Sequence, residues 1–117
     1  MSTENSCLFC RIAAGEIPSD RVYEDDDCVA FNDISPQAPT HILIVPRRHV
    51  DSLDKAGHEH ESELGRLLLA AAEIARRDGF ADAGYRVVIN TNADGGQTVF
   101  HLHVHLLAGR PFVFPPG

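Results

Sequence analysis

The segment His101-Leu102-His103-Val104-His105-Leu106-Leu107 decides how this chain is read. Histidine alternates with an aliphatic residue, and the alternating stretch Phe100 to Leu107 predicts a strand. Successive side chains of a strand point to opposite faces, so the three imidazoles share one face and Leu102, Val104 and Leu106 the other. The aliphatic face belongs to a core, which leaves a histidine-lined surface backed by packing. Three chemistries fit such a surface. A merely solvated face is one, although Lys, Thr or Glu would serve it equally well. A three-histidine metal site is the second. Along a strand rising about 3.3 Å per residue, His101 and His105 stand roughly 13 Å apart, far beyond the reach of Zn–N bonds of about 2.0–2.1 Å. Neighbours such as His101 and His103 could share an ion. The third is an anion-handling surface whose middle histidine does the chemistry. Histidine attacks phosphorus or carries protons near neutral pH, and flanking imidazoles stabilise the developing charge.

Working outward, Asp94-Gly95-Gly96-Gln97-Thr98 leads directly into this strand and offers unencumbered backbone N–H groups and a hydroxyl, which suit a phosphate. Upstream of the loop, Arg86-Val87-Val88-Ile89 reads as a strand, as do Cys28-Val29-Ala30-Phe31 and Ile42-Leu43-Ile44-Val45. Between them a helix is predicted from about Glu59 to Asp78, stopped by Gly79, with Leu64, Leu67, Leu68, Ala71, Ile74 and Ala75 on one buried stripe. A second stripe of Gly65, Leu69, Ala72 and Arg76 is either a dimer face or a half-covered surface. Ser35-Pro36-Gln37-Ala38-Pro39 and Asp94-Gly95-Gly96 are loops, and the acidic run Glu24 to Asp27 is a turn. Strands before and after one helix make an α+β domain around a mostly antiparallel sheet.

The chain has 117 residues, 44% of them hydrophobic, enough for one domain with one core and too few for two. A net charge of −7 argues against a nucleic-acid backbone or an anionic membrane as main partner. No apolar run approaches the roughly 20 residues of a membrane span, and Met1 to Ser6 lacks the features of a signal peptide. Three cysteines, two of them in Cys7-Leu8-Phe9-Cys10, fit a reducing compartment, so a soluble cytoplasmic protein is expected. The Cys-x-x-Cys is either a metal knuckle or a pair of small buried hydrophobes; no βαβ pattern supports a redox pair. Cys28 reads as core, while His58, His60, Arg47 and Arg48 read as solvated.

Together these residues resemble the histidine triad (HIT) superfamily, whose signature of histidines alternating with apolar residues His101 to Leu107 matches throughout. The resemblance covers nearly the whole chain and is closest to the Hint branch of nucleotide-binding proteins. It rests also on Phe9 to Pro18, Tyr23 to Asp26, Ala30 to His41, the Asp94 to Thr98 loop and the closing Pro115-Pro116-Gly117. It implies a single HIT domain over residues 1–117, with a five-stranded, mostly antiparallel sheet, one long helix, a short N-terminal helix and a two-fold homodimer. The implied activity is hydrolysis of the P–N bond in purine nucleoside 5′-phosphoramidates. His103 would be the nucleophile, His105 and Thr98 would bind the phosphate, and His41 would lie near the nucleophile. Gln97 would sit near the leaving group, Gly96 in the phosphate loop and Ile34 in the nucleobase pocket, with Asp33 and Asn90 holding ribose and phosphate. By the same resemblance Cys7, Cys10, His49 and His101 form a closed Cys₂His₂ site for structural Zn²⁺, and no catalytic cofactor is implied. His101 would then support the nucleophile by fixing its strand. Thr98 stands where animal Hint proteins commonly have serine, and Phe114 where tryptophan is often found. The competing functions are a dinucleoside polyphosphate hydrolase, a metal-dependent hydrolase and a non-catalytic nucleotide-binding scaffold.

Overall fold

Five strands form one antiparallel sheet in the order β1-β2-β3-β5-β4 in the computed structural model, which describes residues 6–116. They are β1 (Arg21–Glu24), β2 (Cys28–Asn32), β3 (Thr40–Pro46), β4 (Tyr85–Val88) and β5 (Val104–Ala108). Two helices, α1 (Leu8–Ala13) and α2 (Glu61–Asp78), lie against it. This is the expected α+β architecture with its long helix and short N-terminal helix. The polar residues 1–5, where absence of a signal peptide is expected, and Gly117 of the closing motif lie outside the described residues. Among the described residues no helix is long and apolar enough to cross a membrane.

The sheet has two differently covered faces. On one, Cys28, Ala30, Ile42, Ile44, Leu102, Val104 and Leu106 pack against Leu67, Ala70, Ala71 and Ile74 of α2. On the other, Val29, Phe31, Leu43 and Val45 pack against Phe9, Ile12 and Ala13 of α1. A helix of only six residues cannot cover that second face, and the uncovered part is where the histidines lie.

α2 ends as predicted, with Gly79 in the left-handed region at φ 86° and its N–H on Ala75 O. It begins through a 3₁₀ turn at His58–His60, so the regular helix starts at Glu61 rather than about Glu59. Leu64 is half-buried against the core, but Leu68, expected in the buried stripe, is 48% exposed. One residue advances about 100° round a helix, which swings Leu68 off the line through Leu67, whereas Ala70 lies only about 60° from it and is buried instead. β1 was not legible as a strand: it is four residues long, half-buried, and bulged between Arg21 and Tyr23.

The histidine strand needs correction. The ladder runs from Val104 to Ala108, not from Phe100. The pairing with β3 stops at Ile44 opposite Val104, although β3 itself runs on to Pro46 beside β2, and β4 ends at Val88 opposite His105, so residues before Val104 join no ladder. The Leu102 N–H instead donates to Val50 O at 2.8 Å. The two-residue alternation survives regardless: Leu102, Val104 and Leu106 face α2, and the histidines face the other way.

Candidate active site and metal-ligand cluster

β3 and β5 pair with Leu43 opposite His105 and His41 opposite Leu107, which makes His41 and His105 diagonal neighbours on one face. His41 Nε2 lies 2.9 Å from His105 Nδ1, and the ring centres of His103 and His105 are 5.0 Å apart. The hydrogen-bond network fixes where each proton sits. The Gln37 backbone N–H donates to His41 Nδ1 at 3.0 Å, so that nitrogen is bare and His41 Nε2 carries the hydrogen given to His105. His105 Nδ1 is therefore an acceptor and its Nε2 the donor. That Nε2 is buried without a hydrogen-bond partner among the described residues. His103 Nδ1 donates to the His101 carbonyl at 2.8 Å, which leaves a lone pair on His103 Nε2. A bare nitrogen on His103 beside an unsatisfied donor on His105 is the pairing that a nucleophile and an anion-binding group require.

Burial favours the neutral form of His103 and His105. Desolvation is the largest cause for both His103, whose pKa is lowered, and His105, pushed down to about 4. The neighbouring rings of His103 and His41 press His105 further in the same direction. Phe9 of α1 contributes, meeting the His103 ring edge-on at 5.1 Å.

His103 and His105 open onto a cavity of about 320 Å³ whose lining includes the apolar Phe9, Phe31, Leu43 and Ile34 and the polar Asp33 and Thr98. The size is ordinary for a small-molecule site. Ile34 is 98% exposed at its rim. Asp33 holds its own turn through Ser35 N–H and brings Oδ2 to 3.5 Å from His41 Nε2. Ser19, which sequence reasoning passed over, also lines the cavity with a buried hydroxyl that has no partner among the described residues. Nothing in Pro18-Ser19-Asp20 signals this beyond a polar residue at a turn.

The backbone N–H groups of the Asp94 to Thr98 loop are not all unencumbered, contrary to the expectation from sequence. Gly95 approaches Thr91 so closely that an added Cβ would lie 2.8 Å from the Thr91 backbone nitrogen, a reason for glycine there. Gly96 takes φ 84°, and its N–H together with that of Gln97 closes the loop on Ala93 O and Asn92 O rather than standing unencumbered. Gln97 is not among the residues that line the cavity. Its buried amide donates to Asp51 O at 2.7 Å and Val99 O at 3.1 Å, and accepts the Asn92 N–H at 2.9 Å. Asn90, half-buried just beyond β4, is likewise not part of the lining.

The second cluster lies beside the first. One ligand atom each from Cys7, Cys10, His49 and His101 falls within 4.8 Å of all the others, although the sequence spreads these residues over more than ninety positions. The loop entering α1 brings the cysteines together, with Cys7 Sγ capping the helix by accepting the Cys10 N–H. Cys10 Sγ is 3.3 Å from His49 Nδ1 and from His101 Nδ1. Both imidazoles thus turn the same nitrogen inward, and the other is fixed from behind. His49 Nε2 meets Asp51 Oδ1 at 2.7 Å, and His101 Nε2 donates to Pro46 O at 2.8 Å. Outer partners that set the tautomer in this way are what metal-binding histidines have. Burial drives the His101 pKa down to about 4, favouring the neutral ring that a metal takes. Two thiols and two oriented imidazoles can hold a metal ion.

Comparison with known proteins agrees with this architecture. A HIT domain model matches residues 14–112. The chain is 54% identical over 104 residues to the purine nucleoside phosphoramidase of Escherichia coli K12, an alignment covering 89% of this chain and 87% of that protein. It superposes on a HIT family hydrolase from Legionella pneumophila with a TM-score of 0.92 at 47% identity, covering 95% and 99% of the two chains. A Zn-bound histidine triad family protein from Mycobacterium smegmatis is similar at a TM-score of 0.78 and 33% identity, over 92% and 77% of the chains. A matched domain spanning most of the sequence, with the same fold at high identity, makes this chain a member of the HIT family.

Proposed function

We propose that this chain is a nucleotide-binding hydrolase that cleaves the P–N bond of purine nucleoside 5′-phosphoramidates through a covalent nucleotidyl-His103 intermediate. The observation that carries the reading is the bare Nε2 of His103 next to the unpartnered Nε2–H of His105 at the cavity. His103 Nε2 attacks the α-phosphorus as the P–N bond breaks, and the departing amine takes a proton from solvent, to which the hydrolytic water later returns one. The ring becomes cationic, and the His101 carbonyl accepting its Nδ1–H stabilises that charge. His105 Nε2–H and the Thr98 hydroxyl bind phosphate oxygens, while His41 holds the His105 tautomer. Water then breaks the P–Nε2 bond and releases the nucleotide. Asp33 and Asn90 would serve ribose and phosphate, Ile34 the purine, and Gly96 and Gln97 the form of the loop. The inward-turned Gln97 amide supports a loop-holding role over contact with the leaving group.

Cys7, Cys10, His49 and His101 would hold Zn²⁺. With four protein ligands it would serve structure, offering no open position for a substrate. A homodimer is the second part of the reading. Leu68 and Leu69 are 48% and 59% exposed on the outer side of α2, nothing lies within 4 Å of a Cβ built on Gly65, and the edge strand β4 leaves Tyr85 and Val87 each 37% exposed. The soluble, cytoplasmic setting follows from the two thiols of the cluster being required reduced.

The test is turnover of a fluorogenic adenosine phosphoramidate by wild type and His103→Ala, with and without brief chelation. Wild type turns over, His103→Ala does not, and brief chelation leaves the rate intact. Normal turnover by His103→Ala would refute the covalent route, and immediate loss on chelation would favour metal-dependent hydrolysis.

A further inference from the structure

We propose that Asp51 is a positioning residue that joins the Cys/His cluster to the phosphate loop, so that metal and nucleotide strengthen each other's binding; this rests on the zinc reading above. Asp51 faces both ways. Its carboxylate holds His49 Nε2 at 2.7 Å, behind the nitrogen turned to the cysteines. Its backbone carbonyl holds Gln97 Nε2, also at 2.7 Å. Gln97 in turn spans the neck of the loop, from the Asn92 N–H at one end to Val99 O at the other. With 6% exposure, the Gln97 amide has almost no access to solvent that could replace the carbonyl of residue 51.

The same short segment is tied to the stretch 101–103 that leads into β5. Val50 O accepts the Leu102 N–H at 2.8 Å, between His101, whose ring belongs to the cluster, and His103, whose Nδ1 rests on the His101 carbonyl. Residues 49–51 therefore touch the cluster, the loop and the stretch that carries the nucleophile within three positions. Whichever ligand binds first orders this segment, and the second finds it already ordered, which is positive coupling without any change of fold. Asp51 suits the joint because its side chain is half-exposed and contributes little packing. Its carboxylate can be altered without opening a cavity.

The coupling is measurable as a ratio, and linkage requires the same ratio in both directions. Zn²⁺ affinity is read by competition with a chromophoric chelator, with and without saturating AMP, on wild type, Asp51→Asn and Asp51→Ala. AMP affinity is read by calorimetry on zinc-loaded and stripped protein. In wild type, AMP should tighten Zn²⁺ by about 5-fold or more and Zn²⁺ should tighten AMP by the same factor. Asp51→Asn keeps an acceptor for His49 and should keep the ratio. Asp51→Ala should bind Zn²⁺ about 10–100-fold more weakly and bring the ratio close to one. Zinc that binds wild type with no dependence on AMP, or a wild-type ratio in Asp51→Ala, overturns the coupling and leaves the zinc site standing. A protein that takes up no Zn²⁺ yet turns over the phosphoramidate overturns the zinc reading and this inference together.

Discussion

Mild acidification should weaken the fold of this enzyme, while its chemistry should fail at a lower pH than an ordinary histidine would allow. His105 must keep Nδ1 bare to accept from His41, and protonation would set two N–H groups against each other across 2.9 Å. An ordinary histidine with a pKa near 6.5 would be only about 3% neutral at a pH of about 5. With its pKa pushed down to about 4, chiefly by burial, His105 remains roughly 90% neutral there. The assay is the pH profile of kcat/KM, which reports the free enzyme, for a fluorogenic adenosine phosphoramidate, with His103→Ala as the blank for acid hydrolysis. Turnover needs both His103, whose pKa burial also lowers, and His105 neutral, so the acid limb of the profile should lie below about 6.5, where the first of the two takes up a proton. An acid limb centred near 6.5 would refute the account of how burial sets the site. The stability counterpart has a definite sign. The folded pKa lies below the unfolded one, so the unfolded chain binds more protons between about pH 4 and 6.5. This group's contribution is complete above about 6.5 and is lost as the pH falls through that window. Denaturant midpoints should therefore drop as the pH falls from about 6.5 toward 4.

Other perturbations separate the parts of the molecule. Ile74→Ala removes a fully buried side chain of α2 and should cost about 2–5 kcal/mol, measured by urea unfolding; under about 1 kcal/mol would contradict the packing described. Gly95→Ala drives a Cβ against the Thr91 backbone, so AMP affinity measured by calorimetry should fall about tenfold or more. Cys10→Ser removes the sulfur that lies 3.3 Å from both imidazoles, and metal analysis should find zinc content reduced from about one per chain to near none. Leu69→Arg puts a charge on the exposed α2 face, and sedimentation should show a dimer becoming a monomer with its far-UV spectrum unchanged.

Side-chain alternation and helical periodicity were legible in the sequence because both are local. His101 to Leu106 announced its two faces without knowledge of which strands pair, and Gly79 announced the end of α2. The ladder's true start at Val104 was not legible, since it depends on where the pairing with β3 and β4 stops. Leu68 and Ala70 exchanged roles because only the line of contact with the sheet decides between residues so close on the helix. At the site, the residue types carried the chemistry but not the protonation pattern. The tautomer of His41 is set by the backbone N–H of Gln37, and a backbone donor leaves no trace in composition. Gln97 illustrates the same limit: a glutamine beside a glycine loop suggests a ligand contact, yet its amide is taken up by three backbone groups.

The unequal covering of the sheet carries a consequence for how this sequence tolerates change. In β2, β3 and the segment 101–108, even-numbered residues such as Ala30, Ile44 and Leu106 meet α2, and odd-numbered residues such as Phe31, Leu43 and His105 meet the short helix or the cavity. A saturation library scored separately for protein abundance and for turnover would carry that parity. Even positions would fail by abundance, and among the odd ones, those at the cavity by turnover at normal abundance. The step between losing the protein and losing its chemistry is then a single residue along the chain.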